Sequence, residues 1–183
     1  MRVLISPASV HGATAEIGRS IAATLRENGI DADVTQPELI HDLHPYGGVI
    51  LGSAIYGGRW KLEALAFIEE HARAIAALPC WIFSSGPITA NEPSEPLEAN
   101  HEAELLALTG AREHRLFGGA LDLERLSPTE QGVARWVNVV EGDARDWHEV
   151  EAWASRIVAE LTSAPLEEIP TPATQPLAFE EER

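Results

Sequence analysis

The stretch Arg2-Val-Leu-Ile-Ser-Pro-Ala-Ser-Val-His-Gly-Ala-Thr14 decides the fold of this chain. A short apolar strand, Val3-Leu-Ile5, empties into a loop of small residues, and the loop opens an amphipathic helix with Ile17, Ile21 and Leu25 at helical spacing. A strand, loop and helix in that order build an anion site, because loop and first-turn N–H groups converge on one point and the helix dipole favours negative charge there. The loop offers the hydroxyls of Ser9 and Thr14 around Gly12 and contains no lysine. It suits a phosphate that is held rather than transferred.

Outward from that unit the chain alternates strand and helix. Asn28-Gly29 ends the first helix, and Ala32–Thr35 reads as a second strand. Gly48-Val-Ile-Leu51 is apolar throughout, as a central parallel strand should be. Leu65, Ile68, Ala72 and Ile75 line the next helix, Cys80–Phe83 is a fourth strand, and residues 95–108 read as helix. Glu113–Phe117 is a fifth strand, and Val150, Trp153, Ala154, Ile157 and Leu161 form the stripe of a last helix. Repeated β-α units predict an α/β three-layer sandwich around a five-stranded parallel sheet. One domain over residues 1–163 fits the length of 183 residues. Residues 121–144 interrupt the alternation as an insertion, with Ser127-Pro128 as a helix start and Val133, Trp136, Val137 and Val140 on one helix face. Residues 164–183 read as a Pro/Glu-rich, loosely attached tail.

Composition bounds the function. The net charge of −16 argues against nucleic acid and against an anionic membrane surface. It suits a basic partner protein or simply keeps the chain in solution. Cys80 is the only cysteine, so no intramolecular disulfide can form, and its apolar surroundings read as core. The chain enters a strand pattern at once and has no run of apolar residues long enough to span a bilayer, so a cytoplasmic location is the expectation.

In an open parallel sheet, ligands bind beyond the carboxyl ends of the strands at the switch point. Ser9 to Thr14, Gly52-Ser-Ala-Ile-Tyr-Gly-Gly58, Ser84-Ser-Gly-Pro87 and Gly118-Gly-Ala-Leu-Asp122 all fall at such ends. Their small residues let backbone approach a flat ligand, and Tyr56 can stack on it.

The segment Ser9-Val10-His11-Gly12-Ala13-Thr14 resembles the flavodoxin phosphate loop. Gly52-Ser-Ala-Ile-Tyr-Gly-Gly58 resembles the second flavin loop of the flavodoxin-domain branch that includes the menaquinone-dependent protoporphyrinogen oxidases. Phe117–Asp122 and Gly142-Asp-Ala-Arg-Asp-Trp147 are similar to the same branch. The resemblance implies a flavodoxin-like sheet of order 2-1-3-4-5 and noncovalent FMN. The phosphate would sit on Ser9, Val10, His11, Gly12, Ala13 and Thr14. The isoalloxazine would lie between Ser53, Ala54, Ile55, Tyr56, Gly57 and Gly58 on one side and Ser84, Ser85, Gly86 and Pro87 on the other, with Gly119 nearby. It implies an FMN-dependent oxidoreductase whose flavin carries the chemistry, with no catalytic side chain and no metal. Its redox partner would be a quinone, a porphyrin-like substrate or a basic redox protein. A flavodoxin-type electron carrier and a cofactor-free interaction module are the alternatives. The branch has a longer, basic and more apolar insertion and an arginine before the loop tyrosine; here the insertion is acidic and Ile55 stands at that place.

Other residues have a plain reading beside a functional one. His11 donates to the phosphate or faces solvent. Trp60 shields the flavin or staples a helix start. Trp136 and Trp153 are core. His41 and His44 share an irregular segment with Asp42, and no third metal ligand is evident. His101, His114 and His148 read as solvated, and Asp143, Asp146 and Glu149 as a solvated helix start. The insertion is expected to wall the substrate cleft, its apolar face covering the domain, a substrate or a second copy of the chain in a homodimer.

Overall fold

The computed structural model describes residues 1–86, 99–129, 131–132 and 141–163. Five parallel strands, β1 (Arg2–Ala8), β2 (Asp31–Val34), β3 (Gly48–Tyr56), β5 (Cys80–Ser85) and β6 (His114–Phe117), lie in the order β2-β1-β3-β5-β6. The short β4 (Arg59–Trp60) folds back antiparallel on the end of β3. Numbering the parallel strands alone gives the expected 2-1-3-4-5. Helices α1 (Ala13–Glu27), α2 (Leu62–Ala76), α3 (Ala99–Thr109) and α4 (Trp147–Ser163) cover the sheet.

The strands are apolar on both faces, so alternate residues feed two cores. Val3, Ile5, Ile50, Trp81 and Phe83 face α1 and α4, where Ile17, Ile21, Leu25, Trp153 and Ile157 meet them. Leu4, Val49, Leu51, Cys80 and Ile82 face α2 and α3, against Phe67, Ile68, Ile75 and Leu105. Gly52 is where the first core needs space. The Phe83 ring lies over its backbone, and a Cβ there would come within 2.7 Å of Cε2 and nearer still to other ring atoms. Phe83, Phe117 and Trp153 then pack at centroid separations of 5.6 to 6.1 Å.

Helix ends follow local chemistry. After α1, Gly29 is at φ 78° and donates to the Arg26 carbonyl, while Ile30 donates to the Leu25 carbonyl, a Schellman closure. Asp146 caps α4 by accepting from the Glu149 N–H at 3.1 Å. Glu149 pairs with Arg115, so that helix start is ion-paired rather than merely solvated. Trp153 is fully buried, as its spacing predicts; Trp136 lies outside the described residues.

Two expectations about loops are corrected. Gly52 to Tyr56 belongs to β3, which is nine residues long, and Ser84 and Ser85 belong to β5. The register explains this: Gly52 and Ser53 pair with Pro7 and Ala8 on one side and with Phe83 and Ser84 on the other. Backbone hydrogen-bonded on both sides stays extended whatever its glycine content.

Candidate functional site

The sheet brings the predicted segments to one edge. Between β1 and β3 the chain order reverses, since β1 leads outward to β2 while β3 leads the other way to β5. Ser9 to Thr14 leave the end of β1 at this point. Gly12 sits at φ 94°, a left-handed turn that favours glycine, and its N–H donates to the Ser9 hydroxyl at 3.0 Å. The Glu16 N–H bonds the Gly12 carbonyl at 2.9 Å, which starts α1. The N–H groups of the first turn, at Ala13, Thr14 and Ala15, have no helical carbonyl before them. Thr14 is buried, while Val10 at the loop crest is 51% exposed.

Across the edge, Gly57 and Gly58, both at positive φ, make a two-residue turn between β3 and β4. Tyr56, the residue before it, is 53% exposed, whereas Ile55 is buried. The hydroxyls of Ser53 and Ser84 are internal. Ser53 accepts from the Lys61 N–H at 3.0 Å, and Ser84 accepts from the Trp60 indole at 2.8 Å. The hydroxyls at these two positions are thus engaged within the protein, and their backbones lie in the sheet ladders. Gly86 donates to the Phe117 carbonyl, and a Cβ on Gly119 would collide with the Gly86 carbonyl oxygen, so the ends of β5 and β6 close tightly on each other. Pro87 lies outside the described residues.

Trp60 is 3% exposed and packs in the core beneath this edge, so it shields nothing at the surface. The reading of His101 and His114 as solvated is overturned: His101 is 2% exposed and the His114 side chain 5%. His114 Nδ1 lies 2.7 Å from the Glu102 carboxylate, and its Nε2 lies 2.8 Å from Ser84 Oγ. A carboxylate only accepts, so Nδ1 carries a hydrogen, and in the neutral ring Nε2 then accepts from the serine. His101 Nε2 accepts from the Trp60 N–H at 3.2 Å. Trp60, Ser84, His114, Glu102 and His101 thus form one polar cluster under the sheet edge. Nothing in local sequence marks it, since its members come from β4, β5, β6 and α3. The Asp42–His44 pair is exposed, and among the described residues no three of His, Cys, Asp and Glu gather to hold a metal.

The first turn of α1 is bound to the insertion. β7 (Ala120–Leu121) and β8 (Gly142–Asp143) pair antiparallel, which clips the two ends of the insertion together. Just after β8, Arg145 reaches back to α1. Its guanidinium bonds Glu16 and Asp143, both at 2.6 Å, and lies 4.5 Å over the Trp147 ring. The guanidinium holds both carboxyls below their ordinary range, and the paired carboxylates raise Arg145 in turn. A cavity of about 250 Å³ opens here, lined by His11, Ala13, Glu16, Asp122, Arg125 and Arg145 among others. Arg145 lies within the 142–147 motif, but nothing local signals this role, because the link to Glu16 spans 129 positions. A helix does start at Pro128, where Gln131 N–H bonds the Ser127 carbonyl at 2.9 Å, while Val133, Trp136, Val137 and Val140 lie outside the described residues.

A doubly wound parallel sheet with an anion-type turn after its first strand is the arrangement of a flavodoxin-like protein. The family model described as Flavodoxin domain matches residues 4–147, and the chain belongs to that family. The protoporphyrinogen IX dehydrogenase [quinone] of Escherichia coli strain K12 is 27% identical over 180 residues, covering 90% of this chain and 98% of that one. Among solved structures, a flavodoxin from the domain Archaea matches with a TM-score of 0.59 at 16% identity, covering 88% of this chain and 99% of its own. The Streptococcus pneumonia TIGR4 flavodoxin matches with 0.58 at 20%, covering 87% and 99%. Among the described residues no helix is long and apolar enough to cross a membrane.

Proposed function

We propose that this chain binds FMN at the edge formed by residues 9–14, 53–58, 84–86 and Gly119, and acts as an oxidoreductase on a quinone or porphyrin-like partner. The observation that carries the reading is the turn at Gly12. Ser9 fixes it, α1 starts from it, and backbone N–H groups are its donor set. Such donors fit a phosphate monoester. The one carboxylate in the first turn, Glu16, is neutralised by Arg145 and Arg125 and does not repel an anion there. The glycine turn at 57–58, with exposed Tyr56 beside it, supplies a flat face for a ring. The bound flavin would supply the hydride and electron transfer. The chain's part is to hold the phosphate, present backbone to the ring, and exclude water from one face of it.

The 27% identity over most of both chains to a protein named for protoporphyrinogen and quinone supports that substrate class. A second reading, an electron carrier that docks a basic redox protein, is favoured by the net charge of −16. Titration with FMN, followed by quenching of flavin fluorescence, tests the site. Thr14→Glu, in protein that keeps its thermal transition, should weaken FMN by at least about tenfold through repulsion of the phosphate. Undiminished affinity would remove this loop from the site. Turnover of protoporphyrinogen with a quinone, compared with reduction of a basic one-electron acceptor such as cytochrome c, separates the two readings.

A further inference from the structure

Beyond sharing Glu16 with Arg145, Arg125 has no role in the site as described, yet its guanidinium hangs over the turn that would hold the phosphate. Nη1 lies 3.8 Å from the point a Cβ on Gly12 would occupy. We propose that Arg125 is a phosphate-recognition residue that selects a phosphomonoester on the 9–14 loop and ties the insertion to the bound ligand. The proposal rests on the FMN reading above.

The charge pattern singles Arg125 out. The cavity beside the loop is lined by two arginines and by the carboxylates of Glu16, Asp122, Glu141 and Asp143. An anion arriving there needs a cation with bonding capacity to spare. Arg145 has little: its side chain is 8% exposed, and its nitrogens already bond Asp143, Glu16 and the Ala13 carbonyl. Arg125 is held loosely. Its side chain is 59% exposed, and its carboxylate contacts are 3.2 Å to Asp122 and 3.6 Å to Glu16, longer than a well-formed charge-assisted bond. A phosphate oxygen on the loop would offer a better partner than either.

The backbone beneath Arg125 is fixed where the side chain is not. Asp122 Oδ1 accepts from the Glu124 N–H at 2.9 Å and caps the 3-10 turn Leu123–Arg125. That turn follows directly on β7, which β8 holds in place. Glu16 already has Arg145, so drawing Arg125 to the ligand leaves Glu16 paired. A guanidinium also matches phosphate oxygens two at a time, which an ammonium does not.

The test compares dissociation constants for FMN and riboflavin, which differ only by the phosphate, in the unmodified protein, Arg125→Ala and Arg125→Lys. Arg125→Ala should weaken FMN about tenfold at low salt and leave riboflavin within about twofold, with Arg125→Lys recovering part of the loss. The FMN loss should shrink as salt is raised, since the side chain is exposed. Unchanged FMN affinity in Arg125→Ala, or equal losses for FMN and riboflavin, would overturn the assignment while leaving the FMN reading intact. An unmodified protein that binds neither flavin overturns that reading itself, and this proposal with it.

Discussion

Replacing Arg145 with methionine keeps the stem of the side chain and removes its charge. The guanidinium makes bonds of 2.6 Å to Glu16 and of 2.6 and 2.8 Å to Asp143. Charge-assisted bonds of this kind contribute up to about 3 kcal/mol each when buried. Here the guanidinium is buried but the Glu16 and Asp143 side chains are 36% and 46% exposed, so solvent screening brings each pair toward about 0.5–1 kcal/mol. Loss of the stack on Trp147 adds about 0.5 kcal/mol. The expected destabilisation is about 2 kcal/mol at pH 7, or a fall in Tm of about 4–8 °C for a domain of this size. The pH dependence gives the sharper test. Both carboxyls are depressed in the folded state from ordinary values of 4.5 and 3.8. Stability from a depressed carboxyl is fully present above its unfolded value and is lost as pH falls through its folded one. The difference between the two proteins should therefore be flat from pH 7 to about 5 and shrink below about 4. Urea unfolding at pH 7, 5 and 3.5 measures it. A difference below about 0.5 kcal/mol at pH 7, or one as large at pH 3.5 as at pH 7, would refute the reasoning.

Gly52→Ala should cost about 1–3 kcal/mol, because the new methyl group displaces the Phe83 ring from its packing on Phe117 and Trp153; unchanged thermal unfolding would show that the ring has room to shift. His114→Ala should cost about 2–3 kcal/mol by removing a hydrogen-bond partner of the buried Ser84 hydroxyl and leaving a cavity, while Glu102→Ala, at a 41% exposed side chain, should cost less than about 1 kcal/mol. The reverse ranking in urea melts would sink the buried-cluster account. Burial pushes the Cys80 thiol up to about 12, so a thiolate-selective reagent at pH 8 should label the folded protein only at its opening rate and the urea-unfolded protein at once; fast labelling of the folded state would contradict this burial.

The order of elements was legible in the chain because each depends on neighbours within a few positions. Ile17, Ile21 and Leu25 repeat at helical spacing, Asn28-Gly29 carries its own stop signal, and Gly48–Leu51 is apolar throughout. The turn at Gly12 was legible for the same reason, since its positive φ, its bond to Ser9 and the start of α1 lie within eight residues of one another. Strand order rests on the flavodoxin resemblance as well, because a phosphate-type loop after the first strand fits more than one doubly wound order.

What only tertiary structure decided depends on groups far apart in the chain. Gly52 to Tyr56 carries small, loop-like residues, and only the backbones of β1 and β5 on either side make its first part a strand. His101 and His114 have no periodic or motif signal. Their burial comes from α3 packing over β4, β5 and β6, where Ser84, Trp60 and Glu102 satisfy their ring nitrogens in part. Likewise Arg125 and Arg145 are ordinary charges in an acidic segment until β7 pairs with β8 and sets them against the first turn of α1. Hydrophobic period is a local property that any window of sequence displays. The partner of a buried polar group is a property of the packed whole, because burial and a matching donor or acceptor must arrive at the same place from separate parts of the chain.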